Sequence, residues 1–115
     1  MSRFIKSFGF ALNGILYAFK TQANFKFHCT LTILVAIFGW YFQLEADEWL
    51  WLLTAAALVF ISELLNTALE VLVDLVSPAY HEKAGLVKDM AAAAVLVAAV
   101  FAVIIGLIIF VPKFL

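Results

Sequence analysis

The stretch W-L-W-L-L-T-A-A-A-L-V-F-I-S-E-L-L-N-T-A-L-E-V-L-V-D-L-V-S, residues 49–77, decides how this chain is built. Through Phe60 its only polar aliphatic side chain is Thr54, whereas Glu63, Asn66, Glu70 and Asp74 follow at intervals of three and four. At ~100° per residue that spacing keeps the four groups on one stripe of an α-helix. A carboxylate near a bilayer centre costs about 2.5–3.5 kcal/mol on insertion scales. Ionisable residues inside a membrane segment therefore mark function by default.

Composition makes the membrane the solvent. Of 115 residues, 67% are hydrophobic and only 13% charged, and a soluble domain this short has too little interior to bury so much apolar surface. The expected class is an all-α integral membrane protein in a single domain, residues 1–115. A net charge of −1 without a basic stripe gives nucleic acid no footprint. The single cysteine, Cys29, leaves no intrachain disulfide to form. The opening MSRFIKSFGF is basic but lacks a continuous apolar run and a small-residue cleavage site, so it is expected to be mature protein.

Three stretches reach the length a spanning helix needs, residues 25–42, 49–76 and 90–111, the second running past its apolar part into the cytoplasmic interface. Trp40, Tyr41, Trp49 and Trp51 flank the first connection, as aromatic belts flank a membrane boundary. That connection, QLEADE at 43–48, is acidic and offers Asp47 as a helix cap. Pro78 and Pro112 are expected to stop the second and third helices. Arg3, Lys6, Lys20 and Lys26 precede the first span, and Lys83 and Lys88 lie in the second connection. The positive-inside rule then puts the N-terminus and that second connection in the cytoplasm. Residues 1–22 read as an amphipathic helix lying in the membrane interface, with Phe4, Phe8, Leu12, Ile15 and Phe19 opposite Arg3, Lys6, Asn13 and Lys20. Ala91 to Ala94, Ala98, Ala102 and Gly106 give the third span small residues for close packing.

Depth turns the stripe into a chemical proposition. A helix entering at Trp49 and rising ~1.5 Å per residue exhausts a ~30 Å hydrocarbon core near Ala68. Glu63 then lies in the cytoplasmic third, and Glu70 and Asp74 at or beyond the boundary. An ion pathway would spread polar groups through the whole thickness. The following S-P-A-Y-H-E-K-A-G-L-V-K-D, residues 77–89, adds Tyr80, His81, Lys88 and Asp89, with Lys88 and Asp89 expected at the start of the third helix. Carboxylate and amide oxygens suit Mg²⁺ completed by phosphates, and lysine supplies charge for phosphate. The residues permit phosphoryl transfer from a nucleotide to a lipid headgroup; a polar seam between packed helices accounts for them as well.

The run E-L-L-N-T-A-L-E-V-L-V-D (63–74), with S-P-A-Y-H-E (77–82), V-K-D-M-A-A-A-A-V (87–95) and G-I-L-Y-A-F-K-T-Q-A-N-F-K-F-H (14–28), closely resembles the prokaryotic diacylglycerol kinase family, which includes undecaprenol kinases. The resemblance covers nearly the whole chain. It implies a homotrimer of three-span protomers, each with an N-terminal surface helix, in the bacterial cytoplasmic membrane. It also implies an ATP-dependent lipid kinase using Mg²⁺ on undecaprenol or diacylglycerol. Glu63 would be the general base, Glu70 the metal ligand with Asn66 in support, and Lys88 the holder of the terminal phosphates, with Asp89 orienting it or helping to position nucleotide. Arg3, Lys6, Phe10, Tyr80 and His81 would approach the nucleotide, and Asp74 would stand outside the chemistry. One position departs from the family pattern, which commonly has a second metal-binding carboxylate where this chain has Gln22. Gln22 offers a carbonyl oxygen without the charge, so a non-catalytic trimeric scaffold is the alternative expectation. Phe10 stands where some members have tyrosine. Asn24 and His28 match frequent family residues and receive no role.

Overall fold

A computed structural model describes residues 2–115, and among these it contains four helices and no strand: α1 Arg3–Thr21, α2 Ala23–Tyr41, α3 Ala46–Val76 and α4 Glu82–Phe114. The last three are long and apolar enough to cross a membrane. The segments 25–42, 49–76 and 90–111 fall almost wholly within them. Met1, at the head of the expected surface helix, lies outside the described residues.

α1 starts where the Ser2 hydroxyl accepts from the Ile5 N–H at 3.4 Å, the N-cap arrangement that satisfies an otherwise orphaned donor. It gives way to α2 through one extended residue, Gln22, whose N–H still bonds Ala18 O at 2.9 Å. The joint is fixed by burial on both sides, at Ala18 and Phe25. Phe25 meets Phe60 of α3 edge-on at 5.4 Å between ring centroids.

The turn from α2 to α3 is built by a left-handed residue. Gln43 has φ 53°, Gln43 N bonds Trp40 O at 3.2 Å and Leu44 N bonds Gly39 O at 3.1 Å. These are the paired bonds of a Schellman terminus. Leu44 folds back into the core, and a methyl group on Gly39 would stand 2.5 Å from Trp49 Cη2 and 3.0 Å from Leu44 Cδ1. Asp47 was the expected cap of α3, but Glu45 holds that position. Its N–H bonds Glu48 Oε1 at 3.1 Å, leaving Asp47 in the first turn. The reason is reach: a glutamate at the third helical position can fold back onto the cap residue's own N–H.

α3 and α4 form the main antiparallel pair. The buried residues of α3 are Ala55, Val59, Glu63 and Thr67, a single row at four-residue spacing, and those of α4 are Ala91, Ala98 and Ile109. Small side chains let the two backbones approach closely. The membrane-boundary end opposite the polar stripe is tied by Lys113 Nζ to Glu48 Oε2 at 3.1 Å and by Phe42 against Phe114 at 5.0 Å.

Two expectations about α4 are corrected. It begins at Glu82, so the connection is only residues 77–81, and Lys88 and Asp89 lie in the second turn. His81 caps it, Nδ1 accepting from the Lys83 N–H at 3.1 Å, and Gly85 does not interrupt it, its N–H bonding His81 O at 3.0 Å. Pro112 does not stop the helix, which continues to Phe114. Its fixed φ is helical, and so near the end it removes one backbone bond.

Gly39→Ala is expected to destabilise the protein by about 1–3 kcal/mol, because the methyl must displace an indole from a packed corner. Gln43→Gly should be neutral or stabilising by up to about 1 kcal/mol, since glycine carries no penalty at positive φ. Thermal unfolding of the two variants in one detergent checks both signs.

Candidate functional site

The polar stripe of α3 survives as a gradient of burial. Glu63 is 2% exposed, Asn66 and Glu70 are half-buried, and Asp74 is exposed. The stripe therefore starts inside the helix pack and leaves it within three turns.

Glu63 belongs to the packing row itself. Thr67 Oγ1 donates to Glu63's backbone carbonyl at 2.9 Å, not to its carboxylate. Opposite stands His28 of α2, Nε2 3.3 Å from Glu63 Oε1, near enough for charge pairing but short of hydrogen-bond alignment. His28 received no role in the sequence reading. The only signal for it was its place in N-F-K-F-H, because which residue of α2 faces Glu63 depends on helix packing.

One turn along, Asn66 Nδ2 donates to Glu70 Oε1 at 3.1 Å, while Asn66 Oδ1 is buried without a partner. The amide thus orients the carboxylate and leaves one oxygen of its own unused beside it. No group of three or more His, Cys, Asp or Glu side chains suited to a metal occurs among the described residues. A Glu carboxylate with an adjacent amide oxygen still fits Mg²⁺, which takes one or two protein ligands and completes its shell with phosphates and water. Gln22 makes no side-chain cap bond at the α1–α2 joint. It is half-buried there, on a different pair of helices from Glu70.

Lys88 pairs with Asp74, Nζ to Oδ1 at 2.7 Å, rather than with Asp89. Lys88 precedes the apolar part of α4, and the Asp74 hydrogen bond holds its ammonium above the ordinary lysine range. Asp74, expected to stand aside, is therefore what fixes the lysine, and Asp89 is exposed. At the other end, the Glu45 N–H and then the Lys113 ammonium hold the Glu48 carboxyl below the usual range.

The remaining expected residues are not gathered here. Arg3, Lys6 and Phe10 are exposed on α1, whose backbone comes close to those of α2 and α3 but not to that of α4. Tyr80 is 89% exposed and His81 is occupied as the cap of α4. An apolar groove of about 590 Å³ runs between α2, α3 and α4 from Trp49 to His28, with Thr32, Val59 and Ala102 in its walls.

The model of the family described as prokaryotic diacylglycerol kinase matches residues 9–110. The chain belongs to the prokaryotic diacylglycerol kinase family. It is 43% identical over 113 residues to a protein of Bacillus subtilis (strain 168) named undecaprenol kinase, covering 98% of this chain and 92% of that protein. A Synechocystis protein (strain ATCC 27184 / PCC 6803 / Kazusa) named diacylglycerol kinase is 46% identical over 110 residues, covering 95% of this chain and 63% of that one. The Escherichia coli (strain K12) protein named diacylglycerol kinase is 35% identical over 103 residues, covering 90% and 84%. Membership places the chain among membrane lipid kinases.

Asn66→Leu removes both the donor to Glu70 and the unused oxygen. It should raise the Mg²⁺ concentration needed for half-maximal activity by about tenfold or more, the usual cost of losing a supporting partner in a metal site. A Mg²⁺ titration at saturating ATP measures it.

Proposed function

We propose that the chain transfers the γ-phosphate of ATP to the hydroxyl of a membrane lipid alcohol, undecaprenol first and diacylglycerol second. It would act as a homotrimer in the bacterial cytoplasmic membrane with its N-terminus inside and α1 lying in the interface. The observation that carries the reading is the graded face of α3: a buried carboxylate, then a bonded amide–carboxylate pair, then a lysine clamped at the exposed end. That order matches a reaction whose acceptor comes from lipid and whose donor comes from water.

The groove ending at His28 suits an apolar chain, since its lining is almost wholly apolar. A lipid lying along it would bring its hydroxyl to Glu63. Glu63 takes the hydroxyl proton as the oxygen bonds the γ-phosphorus and the bond to ADP breaks. Glu70 and Asn66 would hold Mg²⁺, which when bound neutralises charge on the phosphates. Lys88, kept in place by Asp74, supplies charge to the terminal phosphates. Arg3 and Lys6, exposed on α1, would meet the nucleotide at a site shared between copies. Asp89, Tyr80 and His81 would border that nucleotide. The preference for undecaprenol rests on the N-F-K-F-H pattern and on the fullness of the match to the Bacillus relative.

Purified protein in micelles should phosphorylate undecaprenol faster than diacylglycerol, and Glu63→Gln should lower the rate with either by about 10²-fold or more. Binding of ATP and lipid without transfer to either alcohol overturns the reading. Gln22→Glu should lower the Mg²⁺ requirement, because it returns a charge to a ligand position that now offers only a carbonyl. The same titration used for Asn66 reads this effect with the opposite sign.

A further inference from the structure

Glu63 poses a problem that the kinase reading leaves open. A base must be ionised, yet this carboxylate is 2% exposed in an apolar helix pack, where an unpaired charge is costly. The neighbouring polar side chains of α3 do not relieve it. Ser62 Oγ donates to Val59 O, Thr67 Oγ1 to Glu63 O, and Asn66 Nδ2 to Glu70. Glu63 Oε1 has no hydrogen bond of its own.

Among the described residues, His28 is the only cation-forming side chain within 4.0 Å of this carboxylate. The charged groups of the surrounding helices are engaged elsewhere or stand apart. Lys26 of α2 stands over the Phe19 ring at 5.6 Å, Lys88 of α4 is bound by Asp74, and Glu70 of α3 by Asn66. Arg3, Lys6 and Lys20 of α1 are exposed. Phe27 borders the imidazole edge-on, 5.7 Å between centroids. His28 is 17% exposed and also lines the groove, so it touches both the buried acid and the space that leads to it.

We propose that His28 is the positioning residue for Glu63: as imidazolium it pairs with the buried carboxylate and keeps it directed toward the lipid hydroxyl at the head of the groove. The inference rests on the assignment of Glu63 as base. A small rotation of the ring would align Nε2–H with Oε1 and convert the 3.3 Å approach into a charge-assisted hydrogen bond. In the transfer step the hydroxyl proton goes to Glu63, and His28 keeps its own.

The test compares His28→Gln, which keeps a hydrogen-bond donor but cannot carry charge, with wild type and Glu63→Gln. Expected are a kcat lowered by about tenfold and a KM for ATP essentially unchanged, the pattern of a misdirected base rather than lost nucleotide binding. His28→Ala, which opens space beside the groove, should regain rate when imidazole is added, and this arm stands alone if the glutamine variant does not fold. If Glu63→Gln is inactive while His28→Gln keeps the wild-type kcat, or His28→Ala is slow and unmoved by imidazole, His28 only fills space and the proposal falls. If Glu63→Gln remains active, the base assignment falls first and takes this inference with it.

Discussion

The row Ala55, Val59, Glu63 and Thr67 on α3 is the constraint from which the rest follows. A ridge of residues four apart is what one helix offers to the grooves of another. Three of the four positions are small or branched, so neighbouring helices come close. The fourth is a glutamate, and close packing around it removes the water that would otherwise solvate its charge. The contact that holds the helices together is thus also the contact that sets the state of the carboxylate. Changes in the packing of α2 or α4 would be felt at Glu63 without any change in the residues beside it.

The two ends of the helix pack are built differently. At the end beyond the groove, a Schellman turn, a buried glycine under Trp49, stacked phenylalanines and the Lys113–Glu48 pair hold α2, α3 and α4 together. At the polar end the cross-helix tie is the pair Lys88–Asp74, both members of which reach solvent, and exposed pairs contribute little to stability. One end is fixed by packing, while the other is held by charges that a nucleotide phosphate could draw away. Such an arrangement leaves freedom where a charged substrate would have to enter and leave.

Much of this was legible in the sequence because it depends on period and polarity. Spans, connections and the graded stripe all follow from spacing along one chain, and Glu63, Asn66 and Glu70 could be named as one face before any packing was known. The errors arose where local rules compete. Asp47 was a plausible cap, but Glu48 reaches back to the cap residue. Pro112 carries a helical φ and so did not end α4. The residues after His81 were expected in the second connection, although a helix capped by His81 accommodates them. Two further features were invisible because they are set across helices: His28 facing Glu63, and Asp74, not Asp89, holding Lys88.

The site also shows why a chain this sparing with charge can support such chemistry. Beyond Glu63 the polar groups of the face are held on one side: Glu70 is held by Asn66, which keeps an oxygen unused, and Lys88 is held by Asp74 while remaining charged. Groups held on one side lose less freedom when a ligand takes the other, so less of the binding energy goes into ordering them. Gln22 is the exception, with a side chain that makes no capping bond at the joint between α1 and α2. A carbonyl there is weaker than a carboxylate toward Mg²⁺, but it costs less to bury at a helix joint without a cation. Gln22 leaves the joint without a buried charge, and the charge of the polar face is concentrated on α3 and at the start of α4.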